Sequence, residues 1–158
     1  MVRVRVIGCG NPEAGDDAVG PLAVRAARAR LPSDVDVVEA GVAIRVVDLL
    51  QDAGAVVLVD AVRAPSGARA SGTLVRAVGG SDGLPTELRG SISSHGLGLA
   101  EAVGLAAALG SLPRVVFLGL EVGDLANGRG LSPAVTAALP ALFSAMVGEA
   151  AALAGMPT

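Results

Sequence analysis

The stretch Ala55-Val56-Val57-Leu58-Val59 constrains the fold more than any other part of the chain. Five apolar residues without alternation read as a strand covered on both faces, and such strands belong to parallel sheets with helices above and below. Related runs recur along the chain. Residues 2–7 alternate Val and Arg and then turn apolar. Residues 35–38 follow the turn Leu31-Pro32-Ser33-Asp34, and residues 115–120 follow Pro113. Residues 72–78 offer a further strand.

Helical patterns lie between these runs. Over residues 17–31, Val19, Leu22, Ala23 and Ala26 share a stripe, with Arg25 and Arg28 outside it. Residues 43–51 form a shorter helix. Residues 96–109 are apolar nearly all round, as in a largely covered helix. Ser132-Pro133 reads as an N-cap followed by Pro at the first helical position, opening a last helix toward Ala154, bent at Pro140. Strands alternating with helices predict an α/β fold, a three-layer α/β/α sandwich with a mainly parallel central sheet. Residues 1–158 read as a single domain.

Composition narrows the chemistry. All 12 basic residues are Arg, so a Schiff-base lysine and a P-loop lysine are excluded. One His and one Cys leave His95 as the sole imidazole and Cys9 as the sole thiol. A net charge of −3, no basic block and only two aromatic residues argue against nucleic acid as a partner. A lone cysteine cannot form an internal disulfide, and the alternating start lacks a signal-peptide layout, so the expected location is cytoplasmic. Mean hydropathy is high at +0.63. The apolar stretch at residues 96–110 is short and carries Glu101, and that at 131–156 is interrupted by Pro133, Pro140 and Glu149. No membrane span is therefore expected, and both stretches read as buried helices. Nothing specifies an oligomer, and the expectation is a monomer.

Gly8-Cys9-Gly10, after a strand and before a helix, invites a dinucleotide-binding reading. The pattern fails three places on, where Glu13 replaces the third glycine and would repel a pyrophosphate; Pro12 removes a backbone donor. Asp16-Asp17 at the predicted helix start suits capping and the helix dipole, yet one carboxylate suffices for that. Asp60 ends the buried run. A carboxylate there is costly unless it is paired with Arg63, hydrogen-bonded in a loop, solvated in a cleft or bound to metal. His95 precedes an apolar helix and follows residues 79–94, a Gly- and Ser-rich loop of the kind that carries function.

Together Asp17, Asp60 and His95 supply two carboxylates and one imidazole from three segments, a set suited to nickel, zinc or a similar ion. A Cys9–His95–Asp60 nucleophilic arrangement is the alternative, and Ser93 and Ser94 are weaker nucleophile candidates. A non-enzymatic metal- or nucleotide-binding maturation factor is a third reading.

Several segments carry a resemblance in the right order. They are Ile7-Gly8-Cys9-Gly10-Asn11 with Gly15-Asp16-Asp17-Ala18-Val19-Gly20, then Val59-Asp60-Ala61, then Ser93-Ser94-His95-Gly96-Leu97-Gly98-Leu99. Gly119-Leu120-Glu121 and Gly130-Leu131-Ser132-Pro133-Ala134-Val135 complete the set. The set resembles the NiFe-hydrogenase maturation proteases. The resemblance implies an aspartic-type endopeptidase of α/β/α fold. It would trim a C-terminal extension from the hydrogenase large-subunit precursor once nickel has been inserted. The family's metal ligands fall on Asp17, Asp60 and His95, which would be both catalytic and metal-binding residues, the nickel arriving with the substrate. The family's Gly-Gly-Thr segment corresponds to Gly41-Val42-Ala43, expected to bind substrate; here no hydroxyl is present. Val122 stands where the family usually has Pro.

Overall fold

The computed structural model describes residues 2–13, 15–64, 69–85, 88, 98–110, 112–123 and 130–156. Among these residues five strands form one sheet: β1 (Val4–Cys9), β2 (Asp36–Ala40), β3 (Ala55–Val62), β4 (Leu74–Val78) and β5 (Arg114–Glu121). Their spatial order is β2-β1-β3-β5-β4. Only β4 runs antiparallel, against β5. Among the described residues, four α-helices flank the sheet: α1 (Val19–Ala27), α2 (Ile44–Gln51), α3 (Leu99–Ala108) and α4 (Pro133–Ala154). The expected three-layer α/β architecture is the one observed.

Strand alternation divides the core. Val4, Val6, Val57, Val59, Leu118 and Leu120 face α1 and α4. Ile7, Cys9, Val56, Leu58, Val62 and Phe117 face α2 and α3. With so few aromatic residues, close backbone approach supplies the packing density. A Cβ on Gly20 would collide with the carbonyl oxygens of Cys9 and Val59, so α1 rests directly on the ends of β1 and β3. Gly8 likewise faces Gly20 and Val24 of α1, so it serves helix–sheet contact, a role that needs no phosphate.

Several elements differ from expectation. Strand β3 does not stop at Asp60 but continues through Ala61 and Val62. The carboxylate therefore lies inside a strand. The first helix begins as a 3-10 turn, Gly15–Ala18, and α1 follows with Ala18, not an aspartate, at its N-cap. Its buried stripe contains Val19, Ala23, Val24 and Ala27, whereas Ala26 is exposed. Helix α4 opens as expected, with Ser132 capping and Pro133 first, but it runs unbroken through Pro140 for 22 residues. It is long and apolar enough to cross a membrane by length and composition. Here it lays Val135, Leu142, Met146, Ala150 and Leu153 on the sheet and leaves its other face outward. Helix α3 is likewise covered on one side only: Leu105 and the following Leu109 are exposed.

The strand order defines where a ligand can enter. From β1 the chain crosses to β2 on one side and later returns to β3 on the other. The connections leaving β1 and β3 diverge, and in sheets of this kind ligands enter the crevice outside the carboxyl ends of such strands.

Candidate active site

Three chemistry-bearing side chains gather at that crevice. Cys9 ends β1, and the register that pairs Gly8 with Val59 places it beside Asp60 on the α2/α3 face of the sheet. Asp17 comes from the 3-10 turn that follows β1. It is half-buried, and its Oδ2 accepts a hydrogen bond from the Asn11 backbone N–H at 2.9 Å. The Asn11 side chain in turn accepts from Glu13 N–H at 2.9 Å, which fixes the loop. Gly10 adopts φ 127° within this loop, and a Cβ there would strike the carbonyl oxygen of Asp17. Only glycine lets the two come so close.

Asp60 is buried, 6% exposed. Its Oδ1 accepts from the Ala61 N–H at 2.8 Å. It has no ion pair among the described residues. Arg63, the partner considered from sequence, donates instead to the Gly123 carbonyl at 2.6 Å. Burial pushes the Asp60 carboxyl well above the usual carboxylate range, and the nearby Asp17 charge pushes it further; the Ala61 N–H acts the other way. Two carboxyl groups thus lie near one another with no ion pair to Asp60 among the described residues, an arrangement suited to receiving a cation.

Cys9 reads differently. Burial raises its thiol well above the ordinary value, and the Asp60 and Asp17 charges add to the effect. A nucleophilic cysteine needs the opposite, a positive setting and partial exposure. Cys9 packs with Ile7, Ala40 and Val46 as a small apolar side chain.

His95, Ser93 and Ser94 lie outside the described residues. Among the described residues, no three His, Cys, Asp or Glu side chains converge as a metal-ligand set. Asp17 and Asp60 are the predicted ligands that the structure brings together. Gly41, Val42 and Ala43 form the β2–α2 turn. Ala40 pairs with Cys9, so the turn leaves the same end of the sheet. Val42 is 58% exposed and Ile44 52%, large apolar side chains facing solvent next to the crevice.

The sequence did not reveal two further buried carboxylates in their roles. Asp16 is held by Ser132, from the far end of the chain. Glu121, 2% exposed at the end of β5, accepts from Ala64 N–H at 2.6 Å and from Arg69 Nε at 3.0 Å. It thereby ties down the connection leaving β3. Its signal in the sequence matches that of Asp60, an acid at the end of an apolar run; only the structure shows Glu121 paired with an arginine and Asp60, among the described residues, without an ion pair.

A carboxylate pair at the switch point of a doubly wound sheet stands where folds of this kind bind their ligands. The hydrogenase maturation protease (HycI) family model matches residues 22–149, and the chain belongs to that family: it is a hydrogenase maturation endopeptidase. The hydrogenase maturating endopeptidase HybD from Escherichia coli is similar at 25% identity and a TM-score of 0.77, over 93% of this chain and 91% of that one. The hydrogenase 2 maturation peptidase of a Thaumarchaeota archaeon has 27% identity and a TM-score of 0.65, over 93% and 97%. A NiFe-hydrogenase maturation protease, HycI, from Thermococcus kodakarensis shares the fold at 23% identity and a TM-score of 0.68, over 93% and 91%. A search of curated proteins gives no match.

Proposed function

We propose that this endopeptidase removes the C-terminal extension of a NiFe-hydrogenase large-subunit precursor after nickel insertion. Asp17, Asp60 and His95 meet the precursor's nickel beside the scissile bond. The observation that carries this reading is Asp60, a buried carboxyl with no counter-charge among the described residues and a second carboxylate, Asp17, near it. A divalent cation would supply the compensation that no described residue does. Two carboxylates and one imidazole suit nickel or zinc.

The chain's own residues set the rest of the geometry. The Asn11 N–H orients Asp17, and the Ala61 N–H orients Asp60. The β2–α2 turn, Gly41, Val42 and Ala43, lies along the crevice and contacts the precursor segment. With Val42 exposed there, the contact is apolar. The enzyme acts as a cytoplasmic monomer on this substrate.

The test is processing of nickel-loaded precursor by Asp17→Asn, Asp60→Asn and His95→Ala, followed by gel mobility and mass. Each substitution is expected to slow cleavage by about 100-fold or more, the range of positioned acid, base or metal-linked groups. Cys9→Ala is expected to process normally. Full processing by all three site variants would sink the reading, and loss of activity in Cys9→Ala alone would return it to thiol chemistry.

A further inference from the structure

The Gly-Asp-Asp and Leu-Ser-Pro segments, far apart in sequence, interlock. Asp16 is 1% exposed. Its Oδ1 accepts from the Ser132 N–H at 2.7 Å, and its Oδ2 accepts from the Ser132 hydroxyl at 2.9 Å. Ser132 is also the N-cap of α4, where its Oγ accepts from the Val135 N–H at 3.4 Å. Asp16 has no cation partner among the described residues. The compensation comes from α4 itself, whose N-terminal amides and dipole favour an anion.

A carboxylate held through both oxygens has one orientation. Asp16 belongs to a 3-10 turn of four residues, Gly15–Ala18, and so short a turn has little stability of its own. Among the described residues, its other side-chain tether is the bond between Asp17 and the Asn11 N–H, which is exposed to water. With Asp16 fastened to α4, the adjacent Asp17 is left to the crevice.

We propose that Asp16 is a positioning residue for the cleavage reaction. Its clamp on Ser132 fixes the 3-10 turn against α4, so that Asp17 meets the substrate already in place. This rests on Asp17 being an active-site carboxylate.

The experiment compares the wild-type chain with Asp16→Ala, Ser132→Ala and Ser132→Thr. Steady-state cleavage of the nickel-loaded precursor and amide hydrogen exchange at Asn11 are both read well below the unfolding temperature. Asp16→Ala and Ser132→Ala are expected to lower kcat about tenfold or more with KM changed less than about twofold, as misplacement of a reacting group does. The Asn11 amide, freed as Asp17 loosens, is expected to exchange several-fold faster. Ser132→Thr keeps the hydroxyl and restores both readouts. Should Asp16→Ala fail to fold, Ser132→Ala still reports, because it removes the hydroxyl bond and keeps the backbone donor. A folded Asp16→Ala or Ser132→Ala protein with unchanged kcat overturns the proposal, whatever its melting temperature. Unchanged Asn11 exchange overturns it too, even where kcat falls. If the wild-type enzyme cleaves no hydrogenase precursor, the functional reading fails, while Asn11 exchange still decides whether the clamp holds the turn.

Discussion

The two ends of the sheet bury charge in opposite ways. At the amino end, Arg5 lies inside β1 at 6% exposure. Its Nε donates to Asp36 at 2.7 Å, and its NH1 group donates to Asp52 at 2.6 Å and to the Leu49 carbonyl at 2.7 Å. Burial alone would lower the Arg5 pKa; the bonds to Asp52 and Asp36 outweigh it and raise it. At the carboxyl end, Asp60 is buried to the same degree with one backbone donor and a like charge for a neighbour. The Arg5 cluster joins β1, β2 and α2 and is complete. The Asp60 cluster lacks a positive charge among the described residues. One end is built to hold the fold; the other leaves a buried carboxyl without a counter-charge among the described residues, a pattern found where stability is given up for function.

The largest effect expected from this contrast is at the amino end. Arg5→Met keeps the length of the side chain and removes three charge-assisted hydrogen bonds. Asp36 and Asp52 are partly open to water and can rehydrate; the Leu49 carbonyl loses its donor. Denaturant unfolding is expected to show a loss of about 2 kcal/mol. Cleavage per folded molecule is expected to stay at the wild-type rate. A variant as stable as wild type would mean that the cluster does not hold the fold, and a selective loss of kcat would dissolve the distinction between the ends.

Much of the fold was legible because its determinants are local. The continuous Val run at residues 55–59 requires cover on both faces, and Ser132-Pro133 spells a helix start without reference to anything else. Three features depended on contacts far apart in sequence. Arg5 alternates with Val at the start of the chain, yet it is buried with the rest of β1, because Asp36 from β2 and Asp52 after α2 reach it, whereas Arg3 just before the strand is exposed. Asp16 reads as a cap for the next helix and instead binds Ser132 at the start of α4. Asp60 reads as a strand end because hydropathy argues against a carboxyl inside β3, yet Ala61 and Val62 carry the strand on. For the site, residue type and place in the pattern marked Asp17 at a helix start and Asp60 at the end of a buried run as candidates. The same reasoning could not separate Asp60 from Glu121, since satisfaction by Arg69 is a property of the fold.

A smaller effect of opposite sign is expected at the carboxyl end. The folded state holds Asp60 with its pKa raised, so it binds a proton more tightly than the unfolded chain does. Folding is then favoured at low pH, and stability falls as pH rises from the ordinary carboxylate value of about 4 toward the raised one. Asp60→Asn removes the ionisation and keeps an oxygen for the Ala61 N–H. It is expected to be more stable than wild type at neutral pH by about 1 kcal/mol while losing cleavage activity. The gain should vanish as pH approaches 4. Asp52 behaves in the reverse sense: the Arg5 bond lowers its pKa, so its contribution is present above the ordinary value and lost in acid. Equal melting temperatures for Asp60→Asn and wild type at every pH would show that the carboxyl end carries no uncompensated charge.

The smallest effect belongs to a pair at neither extreme. Arg25 on α1 is hydrogen-bonded to Glu39 on β2, with both side chains open to water. Glu39 raises the Arg25 pKa, as any close carboxylate does. Water screens the attraction, and ordering two long side chains offsets most of what remains. Arg25→Gln is therefore expected to melt with wild type and cleave at the wild-type rate, at low and high salt alike. That null sharpens the comparison, because it assigns the two larger effects to burial and not to the presence of opposite charges. A clear, salt-sensitive fall in the melting temperature of Arg25→Gln would break that inference and make surface pairing, instead of desolvation, the quantity that separates the two ends.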